Sequence, residues 1–250
     1  MGKLIKAELF RTKRITGFWV CVFFISLTMI VVPFVNETSA NSAASFSRGT
    51  FGIFAILGML VSLMAAYITG RGYHHRTCMY EVMAGNSSFR IILSKCLSIA
   101  FPIALVVYVP HLIGLGIACG ISSEGIEDVL LREPLLFLTI LRMTCFGTLL
   151  TLCVRSMAGP VLVYVRMLLE SIGMIVASAI TGQDLMEGGA DLVTANTTNT
   201  VMNTVCLSQQ GVLLAQPVDS SLVLKVVIGF VVEVLLWFVI SYMIYEKKDY

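Results

Sequence analysis

Along the chain, apolar residues come in six long runs separated by short polar stretches, and neither helical nor strand alternation breaks them up. The runs fall near Thr16–Val35, Phe51–Thr69, Cys96–Cys119, Leu135–Cys153, Val161–Ile180 and Leu224–Tyr245. Each approaches the roughly 20 residues that an α-helix needs to cross a bilayer's hydrocarbon core. A backbone in lipid must satisfy its own hydrogen bonds, so runs of this length predict transmembrane helices rather than strands. The expected fold class is all-α: one polytopic domain over residues 1–250, with six transmembrane helices and both termini on one side.

Punctuation refines the picture. Pro134 and Pro160 stand where helices four and five are expected to begin, at a turn where a missing N–H costs least. Pro110 falls inside the third run, where it predicts a kink and a carbonyl that other helices must satisfy. Before the first span, "KLIKAELFRTKR" interleaves basic residues with Leu4, Ile5, Leu9 and Phe10. That pattern predicts a short helix over residues 1–14 lying in the membrane interface. The polar stretch 181–223 is long for a connection, and its apolar "GVLLAQPV" predicts some structure of its own.

Composition agrees with a membrane protein: 57% of the residues are apolar, 13% are charged, and the mean hydropathy is +0.90. Charge then gives a direction. Lys3, Lys6, Arg11, Lys13, Arg14, Arg71, Arg76, Arg90, Lys95, Arg155, Lys247 and Lys248 fall on one side of the predicted membrane, against Arg48, Arg132 and Lys225 on the other. Twelve against three places both termini in the cytoplasm by the positive-inside rule. The outer loops are acidic, with Glu37, Glu124, Glu127, Asp128, Glu133, Asp184, Glu187, Asp191 and Asp219. Reading the first run as a cleaved signal peptide is disfavoured, because it exceeds the 7–15 apolar residues of such a core.

Motifs for chemistry are missing. The sequence has no phosphate-cradling G-x-x-x-x-G-K-[ST] loop, no H-E-x-x-H and no G-x-S-x-G. The chain is therefore expected to be no enzyme and to need no cofactor. Among seven cysteines no CxxC occurs, and only Cys119 and Cys206 are placed to meet outside the membrane. The cluster His74-His75-x-x-Cys78 has too few ligands for a structural metal site.

Four ionisable residues lie within the predicted spans: Arg142, Arg166, Glu170 and Glu233. At 1.5 Å per residue, Arg142 lies roughly 11 Å and Glu233 roughly 14 Å below the outer edge, with Glu170 roughly 14 Å above the inner one. Arg166 and Glu170 share a helix face at i and i+4, which leaves Arg142 and Glu233 as partners across the bundle. Two readings stay open, a polar pathway for substrate or a neutral network that fixes packing. A further alternative takes His111 and a membrane glutamate as catalytic groups.

The basic island from Gly70 to Lys95 reads as helix, turn, helix. Met79, Tyr80, Val82 and Met83 give a short helix an apolar flank, Gly85 stops it, and Asn86 or Ser87 caps the next. Its residues Arg76-Thr77-x-x-Tyr80-Glu81-x-x-x-Gly85-x-Ser87-x-x-Arg90-x-x-x-Ser94-Lys95 lie between spans two and three. The run resembles the cytoplasmic segment of permease subunits of type-2 ATP-binding-cassette exporters. The interfacial first helix, the six spans, the enlarged loop before span six and the basic end "YEKKDY" extend the likeness over the whole chain.

The resemblance implies a multi-pass cell-membrane permease whose Met79, Tyr80, Glu81, Met83 and Gly85 form a coupling helix. That helix would dock on separate cytoplasmic ATPase subunits, and a second permease, identical or not, would complete the pathway. Members of the family export peptides, drugs, polysaccharides and lipids, some of them in self-protection against antimicrobial peptides. The alternative is a stand-alone secondary transporter or channel that uses Arg142, Glu170 and Glu233 as a relay.

Overall fold

The computed structural model describes residues 2–36, 42–75, 83–181, 204–207, 210–215 and 218–246. Among them there is no strand. In chain order the helices are α1 (Gly2–Lys13), α2 (Thr16–Asn36), α3 (Ala43–Gly52), α4 (Phe54–His74), α5 (Ser88–Ile121), α6 (Ile126–Val154), α7 (Gly159–Thr181), α8 (Gln210–Ala215) and α9 (Ser220–Glu246). Five of them, α2, α4, α5, α6 and α9, are long and apolar enough to cross a membrane, which makes this an all-helical membrane protein. The fifth predicted run is also a helix, the 23-residue α7.

The central pair is α4 and α6. Gly147 of α6 sits so close to α4 that a Cβ there would lie 2.2 Å from the Ser62 carbonyl oxygen. The Ser62 hydroxyl donates to the Met143 carbonyl at 3.1 Å, fixing the crossing with a polar contact. Small residues and hydroxyls serve this purpose between helices because lipid offers no hydrophobic drive for apolar side chains to leave it. Helix α6 is the most enclosed of the five, while α2 and α9 lie at the periphery. On α9 the buried positions Leu222, Val226, Glu233, Ser241 and Tyr245 follow a helical stripe toward α6, and Leu224, Ile228, Val232, Leu235 and Val239 are exposed.

Several element boundaries differ from the sequence expectations, each for a local reason. The second run does not begin its helix at Phe51. A separate short helix, α3, precedes α4, with Ser42 as its N-cap and the Ser42 hydroxyl accepting from the Ser45 N–H. Pro134 is inside α6 rather than at its start, since Gly125 in the left-handed region (φ 73°) lets the helix begin at Ile126. At the other end of α6 Arg155 takes a positive φ of 55°, uncommon for a residue with a Cβ. Its guanidinium holds it there by donating to the Ile244 carbonyl at 2.7 Å and lying over the Tyr245 ring.

Helix α5 contains a π turn over Cys96–Ala100, in which the Phe101 N–H reaches back to the Cys96 carbonyl. The next residue, Pro102, has no N–H and would crowd the carbonyl of Ser98 in a regular helix, and the wider turn relieves that clash. Pro110 lies inside the same helix, as the sequence predicts. The short helix expected before the first span is α1. It is closed off by Trp19 of α2, whose indole N–H donates to the Lys13 carbonyl at 2.9 Å.

Candidate functional site

The four charges expected within the membrane meet in one network built from three helices. Helix α6 carries Arg142, α7 carries Arg166 and Glu170, and α9 carries Glu233. Arg142 Nε donates to Glu233 Oε2 at 2.6 Å, and Arg166 Nη1 lies 2.8 Å from Glu233 Oε1. Arg166 Nε donates to Glu170 Oε1 at 3.0 Å, the i and i+4 pair that the sequence implies. Two guanidiniums and two carboxylates leave the group neutral, with Glu233 bridging both cations. The Arg142 side chain is 3% exposed and that of Glu233 9%, so these charges are compensated by each other and not by water.

Arg142 also organises a stretch of backbone. Its Nη1 donates to the Thr204 carbonyl at 2.9 Å and to Gln210 Oε1 at 3.2 Å, and its Nη2 donates to the Val205 carbonyl at 3.1 Å. Gln210 in turn donates to the Cys206 carbonyl at 2.9 Å. Gly229 of α9 leaves room for this fan, since a Cβ there would lie 2.8 Å from Arg142 Nη1. Residues 204–207 and 210–215 thus fold back onto the bundle, with Leu207, Gln210, Leu213 and Leu214 buried. Arg132 secures the far end by donating to the Leu214 carbonyl at 2.7 Å. The apolar run "GVLLAQPV" is the sign of structure visible in the sequence here, and that run contains most of α8.

The predicted coupling residues fall into two groups. Met79, Tyr80 and Glu81 lie outside the described residues. Met83 is 81% exposed, and Gly85 takes the left-handed conformation (φ 76°) in open space, as a helix stop requires. Ser87 occupies the N-cap of α5, though its side chain makes no capping bond. The flanks of the island differ from a solvated loop. Tyr73 and Tyr245 share a hydrogen bond between their hydroxyls, tying α4 to α9. Lys95, expected to be a cytoplasmic loop charge, is fully buried and bonded to Glu8 of α1.

A second cluster gathers around His111, whose partners the sequence did not reveal. His111, on the turn after Pro110, is fully buried with its Nε2 3.0 Å from Glu133 Oε1. Tyr108 stacks on the imidazole, and Thr50 Oγ1 lies 3.5 Å from Nδ1 while donating to the Phe46 carbonyl. Glu133, assigned above to an acidic outer loop, is instead enclosed within α6. An isolated histidine in an apolar run was the visible signal, but its partner belongs to a helix that begins earlier than Pro134 implied. Cys119 and Cys206 are both free thiols, so the pairing considered for them is not formed.

Comparison with protein-family models, with curated proteins and with solved structures finds no match.

Proposed function

We propose that this chain is the permease subunit of an ATP-driven exporter in the cell membrane, with α7 as the sixth span and both termini in the cytoplasm. It works with a second permease, and hydrolysis takes place in separate cytoplasmic ATPase subunits. The observation that supports this reading is the way the island between α4 and α5 is tied into the rest of the bundle. Near its start Tyr73 bonds Tyr245 of α9, and at its end buried Lys95 bonds Glu8 of α1. A force applied to the exposed turn at Met83 to Gly85 would therefore reach α1, α4, α5 and α9 together. A passive loop has no need of buried polar anchors at its base, which cost desolvation.

In this reading Met79, Tyr80, Glu81 and Met83 dock in a cleft of the ATPase, and Gly85 turns the chain back to the membrane. The test is pull-down of the ATPase encoded with this chain, together with vesicle transport. Glu81→Arg and Gly85→Val should reach the membrane at normal levels yet lose partner binding or coupling. Arg90→Gln, on the exposed start of α5, should change little. Full binding and full transport in both variants would remove the basis of the proposal.

A second reading draws on the neutral network itself. A stand-alone transporter would use Arg142, Glu170 and Glu233 as an ion relay, and the bridging position of Glu233 between two guanidiniums favours it. Proton-driven flux by the purified chain alone, abolished in Glu233→Gln, would decide for this reading against the first.

A further inference from the structure

At the base of the bundle, on the side that carries the N-terminus, a cleft of about 160 Å³ opens between α1 and the end of α4. It is lined by Arg11, Arg14, Ile15, Arg71 and His75, so every polar group in its wall is a basic one. Its volume is several times the roughly 30 Å³ that a water molecule takes in the liquid. Charge near the cleft is one-sided. Its wall carries Arg11, Arg14 and Arg71, and the carboxylate that Arg11 meets, Glu8 at 2.6 Å, already bonds buried Lys95. Among the described residues, no carboxylate lies within ion-pair distance of Arg14 or Arg71.

The arginines are also held in place. Gly72 lets the Arg11 guanidinium lie flat on α4, since a Cβ there would sit 2.9 Å from Nη2. Arg14 is stacked over the Phe10 ring at 4.2 Å. Arg71 Nε donates to His75 Nε2 at 3.4 Å, which leaves its two terminal nitrogens for another acceptor. Pre-set guanidiniums facing one cleft match the tetrahedral oxygens of phosphate, which accept paired N–H donors.

We propose that this cleft binds a phosphate group, supplied by the headgroup of an anionic phospholipid. The surroundings favour that source over free phosphate. Phe10, whose ring lies under the Arg14 guanidinium of the cleft wall, is exposed, as are Leu9 on the same helix and Trp19 and Phe23 of α2, which offers acyl chains an apolar surface on the helices that carry the cleft. Basic pockets at this depth attract anionic headgroups with about 1 kcal/mol per cationic residue, or about fivefold in affinity.

The experiment uses the full chain in nanodiscs of phosphatidylcholine with and without phosphatidylglycerol, followed by native mass spectrometry of the released protein. Phosphatidylglycerol should be retained in preference to phosphatidylcholine, and Arg14→Gln/Arg71→Gln should weaken its retention about 25-fold. A charge-matched control, Lys3→Gln/Lys6→Gln, removes two exposed cations of α1 outside the cleft and should weaken it severalfold less. If the double arginine variant is poorly folded, either single change should still show about a fivefold loss. Inorganic phosphate added to phosphatidylcholine nanodiscs separates the sources: saturable binding that needs Arg14 and Arg71 supports the phosphate site but assigns it to a soluble ligand. Equal retention of both lipids with no phosphate binding, or equal losses in the arginine and lysine variants, overturns the proposal.

Discussion

The pairing of Arg142 with Glu233 gives the sharpest test of how this bundle is held. Glu233→Gln removes a carboxylate that faces Arg142 at 2.6 Å and Arg166 at 2.8 Å, leaving two guanidiniums against Glu170 alone. An uncompensated charge in such a site costs about 3–5 kcal/mol. Arg142→Met should cost less, about 1–3 kcal/mol. Glu233 keeps Arg166 and the Thr204 carbonyl keeps Gln210 Nε2 at 3.4 Å, so what is lost is the charged donor to the Thr204 and Val205 carbonyls.

The double change Arg142→Met/Glu233→Gln restores neutrality, because Arg166 and Glu170 still pair. Its cost should therefore fall short of the summed single costs by about 2 kcal/mol or more. An ordinary polar contact between transmembrane helices couples by only about 0.6 kcal/mol, so a value that large identifies a buried ion pair. The assay is unfolding in mixed micelles followed by Trp237 fluorescence in a Trp19→Phe background, which leaves one tryptophan. Trp237 packs edge-on against Phe146, whose ring lies under Arg166. Losses that add to within about 0.5 kcal/mol would refute the pairing.

Three other outcomes follow from the same packing. Glu8→Ala should destabilise the protein more than Lys95→Met does, because it removes the carboxylate facing a fully buried ammonium, whereas Glu8 keeps Arg11 at 2.6 Å when Lys95 is replaced. Thermal unfolding in detergent reads this, and the opposite order would contradict it. Gly147→Ala should cost about 1–3 kcal/mol or more by forcing α6 off the Ser62 backbone, while Gly116→Ala, with nothing within 4 Å, should be neutral. Comparable losses for both would show that the α4–α6 contact is not tight. In a cysteine-free background, a cysteine at Ser123 should react with an impermeant reagent from outside and one at Ser87 should not. Both positions are exposed, so outside labelling at Ser87 would reverse the proposed orientation.

The sequence by itself determined where the long apolar helices lie, though not the short α3 before α4, because run length and apolar content are local and lipid allows few alternatives. It also exposed the Arg166–Glu170 pair, set by the pitch of one helix, and the need of Arg142 and Glu233 for partners at similar depth. The left-handed stop at Gly85 was legible too, since it needs only a residue without a Cβ. What the tertiary structure decided depends on which helices are neighbours. The close approach of Gly147 to Ser62 sets the α4–α6 crossing, and no periodicity in either helix reports the other's backbone. Once α6 begins at Ile126, Glu133 is carried from an expected loop to His111. The return of α1 across the start of α5 turns Lys95 from a surface charge into a buried one. Thr204 and Val205 could not be placed from sequence at all, because what holds them is an arginine more than 60 positions earlier, donating to carbonyls that every residue type possesses.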